Sequence, residues 1–125
     1  DIIGQEDILL VTASGISAEK VVKKVAEYNG ICYPAHIDRE ANGIIATLGI
    51  FPETPFFPCA ELHDGDKKDE YSAKFPIIKD KPVVVSSDAH YLWDISEADN
   101  YFELCDEPYS SQLVRDKLID LLEGK

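Results

Sequence analysis

Three consecutive valines, Val83, Val84 and Val85, do more than any other stretch to restrict the folds open to this chain. Branched apolar residues on both faces of a strand, without polar alternation, belong to a strand covered on both sides, as in a parallel sheet flanked by helices. The run ends abruptly in Ser86-Ser-Asp-Ala-His90, so ionisable groups collect where the strand finishes. Other segments fit the same plan. Residues 8–12 are a short apolar run of strand length, followed by a turn and by Ser17, a helix N-cap with Glu19 in the first turn. Val21, Val22, Val25 and Ala26 recur at helical spacing opposite Lys20, Lys23, Lys24 and Glu27, and Asn29-Gly30 stops that helix. Residues 30–37 read as the next buried strand, bent or ended at Pro34, which has no N–H to give to a ladder.

Residues 38–49 read as a loop and a short helix, with Ile44, Ile45 and Leu48 on a core-facing stripe. Residues 51–58 hold three prolines and three phenylalanines, too irregular for an element, and read as a loop docked on the core. A short strand is expected at 58–62, an exposed charged loop at 64–70 and a further strand at 101–105. Ser110 or Ser111 caps a last helix that carries Val114, Leu118, Leu121 and Leu122 on one face. Strands alternating with helices predict an α/β fold with mostly parallel strands, a barrel or an open sheet, as one domain over 1–125.

Lys and Arg total 12 against 24 for Asp and Glu, a formal net charge of -12. Such a surface repels phosphate backbones, so sequence-independent nucleic-acid binding is disfavoured, while a local cation can still hold one small phosphate. Cys32, Cys59 and Cys105 are widely spaced and odd in number, which fits neither a disulfide framework nor a zinc knuckle and suits a reducing cytoplasm. The apolar runs are too short for a membrane span, and the acidic start is unlike a signal peptide. The chain has no Met, from which the numbering is expected to begin inside a longer protein.

In parallel α/β folds, ligands gather beyond the carboxyl ends of the strands. His36 closes the strand expected at 30–37, and Asp88 and His90 close the valine strand, two residues apart and so on one side of an extended segment. Imidazole and carboxylate together suit zinc, manganese or iron, and a metal so held lowers the pKa of water and polarises a phosphoryl oxygen. Taken alone, His36 also reads as an ordinary hydrogen-bonded strand-end histidine. Arg39 is the cation beside the site, matched to a bidentate phosphate or to a surface ion pair with Asp38 or Glu40. His63 reads as a surface residue, and Glu61 as a satisfied buried carboxylate or a group behind the metal ligands. Ser86 and Ser87 lack the surroundings of a nucleophile and read as hydrogen-bonding residues, and Cys32 as a small buried hydrophobe. No phosphate-cradling glycine loop or dinucleotide fingerprint is present.

Pro34-Ala-His-Ile-Asp-Arg39 and Ser86-Ser-Asp-Ala-His-Tyr91 resemble the third and fourth motifs of the PHP (polymerase and histidinol phosphatase) family, in the right order and at a plausible separation. The similarity runs from Gly4 through the helix around Lys23 to Leu48-Gly49 as well, and so spans most of the chain. The resemblance implies the C-terminal half of a distorted (β/α)7, TIM-like barrel that hydrolyses a small phosphate ester with metal-activated water. It implies His36, Asp88 and His90 as metal ligands among two or three divalent ions, with Asp88 and His90 as the catalytic pair. The family's first two motifs, an H-x-H pair and a later Glu and His, have no counterpart here. The resemblance therefore makes the N-terminal half of the PHP domain a missing partner, the isolated chain inactive, and its open sheet edges prone to self-association. The alternative reading is a non-catalytic binding or regulatory module built on the same fold.

Overall fold

A computed structural model describes residues 3–5, 7–8 and 13–125. The strand expected at 8–12 falls almost entirely outside the described residues. The first described element is α1 (Ala18–Ala26), which starts where Ser17 caps it, its hydroxyl accepting from the Lys20 amide. Glu19 lies in the first turn and Lys23 and Lys24 in the last, the charge order that suits the helix dipole. Asn29 at φ +56° turns the chain out of the helix, and the Gly30 amide returns to the Val25 carbonyl. Val22 packs against the core. A second helix, α2 (Ile44–Leu48), runs between Gly43 and Gly49, the latter at φ +73°. Ile44 and Ile45 meet the core, but Leu48, one turn on from Ile44 at the helix's last position before Gly49, is exposed.

The sheet consists of β1 (Ala60–Leu62) and β2 (Val83–Val85), paired in parallel with Ala60 opposite Val83 and Leu62 opposite Val85. The parallel pairing needs a crossover, and the residues between the strands supply it. Here the chain departs from expectation: in place of an exposed loop at 64–70, a 3-10 turn (Gly65–Lys67) leads into α3 (Lys68–Lys74). Asp64 caps the turn by accepting from the Asp66 amide, Asp69 and Glu70 occupy the first turn of α3, and Lys74 its last. Tyr71 and Phe75, four residues apart with ring centroids 5.9 Å apart, provide the face that packs on the core. The charges hid a helix whose apolar side is only two aromatic rings wide. A second 3-10 turn (Pro76–Ile78) buries Ile78 and returns the chain to β2.

The core is Ile37, Phe51, Phe57, Ala60, Leu62 and Ile78. Phe51 and Phe57 meet edge to face at 6.2 Å, so residues 51–58 are docked as expected. Lys81 fixes the same loop by donating to the Phe57 carbonyl at 2.7 Å, its ammonium lying 4.4 Å from the Phe56 ring centre. The three valines of β2 are half-buried rather than enclosed, because β1 is the one strand paired with β2 among the described residues. Residues 101–105 form no strand; Asp99 to Phe102 border a hollow against Val83 and Val85. The chain closes with α4 (Ser111–Leu122), capped by Ser110, whose hydroxyl accepts from the Leu113 amide at 3.0 Å. Leu122 is its buried residue.

Candidate functional site

The segment before His36 is not a regular strand, yet it runs alongside β1. The Glu61 amide donates to the Pro34 carbonyl, and the Ile37 amide donates to the Glu61 carbonyl. A parallel ladder joins one residue to partners two apart. Here the partners are three apart, so one extra residue is accommodated, and the left-handed φ of His36, +33°, marks the bulge. The displaced His36 amide donates instead to the Glu61 carboxylate at 3.2 Å. Glu61 is thus a satisfied carboxylate that completes the bulge, and burial, then the nearby Glu61 charge, raises the phenol pKa of Tyr33 above its ordinary value.

On its other edge β1 bonds to β2, through the Ala60 amide to the Pro82 carbonyl and the Ser86 amide to the Leu62 carbonyl. Three parallel segments therefore end side by side, at residues 36–38, 63–64 and 86–88, with β1 in the middle. Asp38 and Arg39 span these ends. The Asp38 carboxylate, its side chain 1% exposed, accepts from the His63 amide at 2.7 Å and the Asp64 amide at 2.9 Å, with the Lys67 ammonium at 3.9 Å. The Arg39 guanidinium reaches past the middle segment to the Asp88 carboxylate at 3.2 Å. The expected Arg39 pairing with Asp38 or Glu40 is absent because Asp38 is taken up by backbone donors.

Asp88 adopts φ +52°, so two of the three predicted ligands, His36 and Asp88, occupy the left-handed region. Such a conformation costs a residue with a side chain about 1–3 kcal/mol and concentrates at functional sites. Gly43 closes over the His36 turn: a Cβ there would lie 3.1 Å from the His36 carbonyl oxygen and 3.4 Å from that of Arg39. His90 is exposed, and its Nδ1 lies 2.7 Å from the Asp88 carbonyl oxygen. A carbonyl only accepts, so Nδ1 carries the proton and Nε2 is left unprotonated, the tautomer of a metal-binding imidazole. Ser86 hydrogen-bonds locally, its hydroxyl 3.5 Å from the Asp88 amide.

These features decide which predicted residues meet. Arg39, Asp88 and His90 share the end of β2. His36 lies apart, lining a groove with Val22, Cys32, Ile44 and Phe57, and its Nδ1 is buried without a hydrogen-bond partner. Among the described residues, no three His, Cys, Asp or Glu side chains stand together as a metal site. Asp88 and His90 fit two positions of a coordination shell; three or four protein donors are needed for a resident ion. The role of Asp38 was not visible in the sequence, where it served only as a neighbour of Arg39. Its one signal is its place at the end of an extended segment.

Among the described residues no helix is long and apolar enough to cross a membrane. No protein-family model, curated protein or solved structure matches the chain.

Proposed function

We propose that the chain is the C-terminal part of a cytoplasmic metal-dependent phosphoesterase of the PHP type, acting on a small phosphate ester. The observation that carries this reading is the gathering of Arg39, Asp88 and His90 at the carboxyl end of β2, beside two neighbouring parallel ends. Carboxylate, an imidazole presenting Nε2, and a guanidinium are the groups that hold a divalent cation and a phosphate next to each other. A divalent ion bound there, zinc, manganese or iron, would supply a hydroxide at neutral pH and polarise the phosphoryl oxygen. Asp88 and His90 would hold it, with the remaining donors contributed by an N-terminal half, while His36 lies apart in its own groove. Arg39 orients the phosphate by its planar fork, and the bond from His90 Nδ1 to the Asp88 carbonyl keeps the imidazole in one tautomer. Three free cysteines suit the reducing compartment.

The test is phosphatase activity of the full-length protein on p-nitrophenyl phosphate. Asp88→Ala, or a chelator, abolishes it; full activity after either change refutes the reading. A non-catalytic module is the second reading, favoured by one observation, that the Asp88 carboxylate already has Arg39 as its counter-ion. Metal analysis of the folded full-length protein separates the two, since the module carries no metal.

A further inference from the structure

Between Lys81 and Arg115 the chain has no Lys or Arg, the longest such gap in it. Six acidic residues fall there besides Asp88: Asp94, Glu97, Asp99, Glu103, Asp106 and Glu107. Among the described residues none of the six has a cationic partner. Apolar side chains are interleaved with them. Tyr91, Leu92, Trp93, Ile95, Tyr101 and Tyr109 are all exposed, Leu92 at 84% and Trp93 at 80%. A 3-10 turn (Leu92–Asp94), tied by the Asp94 amide to the Tyr91 carbonyl at 3.0 Å, sets the Tyr91 and Trp93 rings parallel, 5.0 Å between centres and 3° apart in plane. Each ring of this stack keeps one face turned away from the other. Elsewhere in the molecule exposed or half-buried rings carry a lysine, Lys24 over Tyr28, Lys74 over Phe75 and Lys81 over Phe56. Among the described residues no cation lies over Tyr91 or Trp93.

We infer that residues 91–109 form a docking surface for a basic polypeptide, which presents arginine side chains to the Tyr91–Trp93 pair. Covering two such rings removes roughly 300–500 Å2 from water, as much as the largest apolar patch of an ordinary monomer, and patches of that size mark interaction sites. The acids choose the sign of the partner. Unneutralised carboxylates around the rings attract a positive surface and steer its approach. The rings choose its chemistry, because a guanidinium stacks on an aromatic face and carries its charge there with little loss of hydration. Nucleic acid and an anionic lipid surface bring the wrong charge. A second copy of this chain, with a net charge of -12, would set the same acids against one another. The surface begins one residue after His90 and uses none of the groups assigned above to metal or phosphate, so it stands or falls apart from the phosphoesterase reading.

The experiment is isothermal titration of the full chain at low salt with a dodecapeptide of alternating Arg and Gly, with 15N spectra to locate the contact. The peptide binds and shifts amide signals within 91–109. Tyr91→Ala combined with Trp93→Ala weakens binding about five- to thirty-fold, the loss of two cation–ring contacts. Asp94→Asn, Glu97→Gln and Asp99→Asn together also weaken it and flatten its dependence on salt. Glu19→Gln, Glu53→Gln and Glu70→Gln together remove the same charge elsewhere and leave the affinity within about two-fold. All of these side chains are exposed, so the substitutions leave the fold in place. Equal losses in the two charge-removed variants, with no effect of the ring substitutions, mean attraction by net charge alone and overturn the inference. So does the absence of binding, a dimer that Trp93→Ala dissociates, or tighter binding of an oligothymidylate than of the peptide.

Discussion

Replacing Asp38 by alanine removes the acceptor that ties the end of the His36 segment to the end of β1. The lost contacts are two charge-assisted hydrogen bonds, at 2.7 Å from the His63 amide and 2.9 Å from the Asp64 amide. Hydrogen bonds to a charged group contribute about 1.5–3 kcal/mol each, so the pair is worth about 3–6 kcal/mol if both amides stay dry. They do not stay fully dry, since His63 is exposed and Asp64 half-buried, and water entering the vacated space recovers part of the loss. Lys67 at 3.9 Å, its side chain 42% exposed, adds only a few tenths of a kcal/mol, about what a solvated pair contributes. The expected net cost is about 2–4 kcal/mol, a large share of the 5–15 kcal/mol typical of a domain. Urea denaturation followed by far-ultraviolet circular dichroism measures it. With a slope of about 2 kcal/mol per molar, the midpoint falls by roughly 1–2 M. Asp38→Asn keeps one acceptor oxygen and falls between. Hydrogen exchange adds a local reading, because the His63 and Asp64 amides lose protection before the rest of the sheet. A cost below about 1 kcal/mol for Asp38→Ala, with those amides still protected, would refute the reasoning.

Glu61→Gln retains an oxygen for the His36 amide and keeps stability within about 1 kcal/mol of the original, whereas Glu61→Ala costs about 1–3 kcal/mol and shifts the His36 amide resonance. Equal losses in the two variants would show that the bulge does not depend on that acceptor. Burial pushes the Cys59 thiol from 9.0 up to about 11, so iodoacetamide at pH 8 labels exposed Cys105 and spares Cys59, as peptide mass spectrometry reads directly. The same shift makes stability fall with alkalinity. The folded chain holds the Cys59 proton longer than the unfolded one, so this contribution is complete below pH 9 and is lost as pH rises through about 11. Tyr33 and Tyr71, raised chiefly by burial, act in the same direction at higher pH. Cys59→Ala therefore shows a shallower alkaline loss between pH 9 and 11, and coincident curves would rule the thiol out.

Local signals were read well from the residues. The Ser17 and Ser110 caps start α1 and α4 where the hydroxyls find amides three residues on, an interaction contained within one turn. Val83 to Val85 form β2, and the polar residues that follow lie at its carboxyl end. The charged stretch after Asp64 conceals its helix because charge density masks the Tyr71 and Phe75 pair, and 101–105 forms no strand because apolar character alone does not provide an edge to bond to. Of the candidate site, the positions of Arg39, Asp88 and His90 were legible as strand-end residues, but their partners were not.

The chain by itself determined the helix starts, the valine strand and which ionisable residues fall at segment ends, because caps, periodicity and β-branching act within a few residues. Only the tertiary structure decided that His36 sits in a bulge completed by Glu61, that Asp38 goes to the amides of His63 and Asp64, and that Arg39 turns to Asp88. Each of those contacts joins residues about 25 or more apart in the chain, across a parallel pairing whose register is set by burying Ile37, Leu62 and Ile78 together. The physical reason is competition for a limited set of donors. Arg39 had two neighbouring carboxylates to choose from by sequence, Asp38 and Glu40, and once the packed strand ends presented two backbone amides to Asp38, the distant Asp88 became its partner.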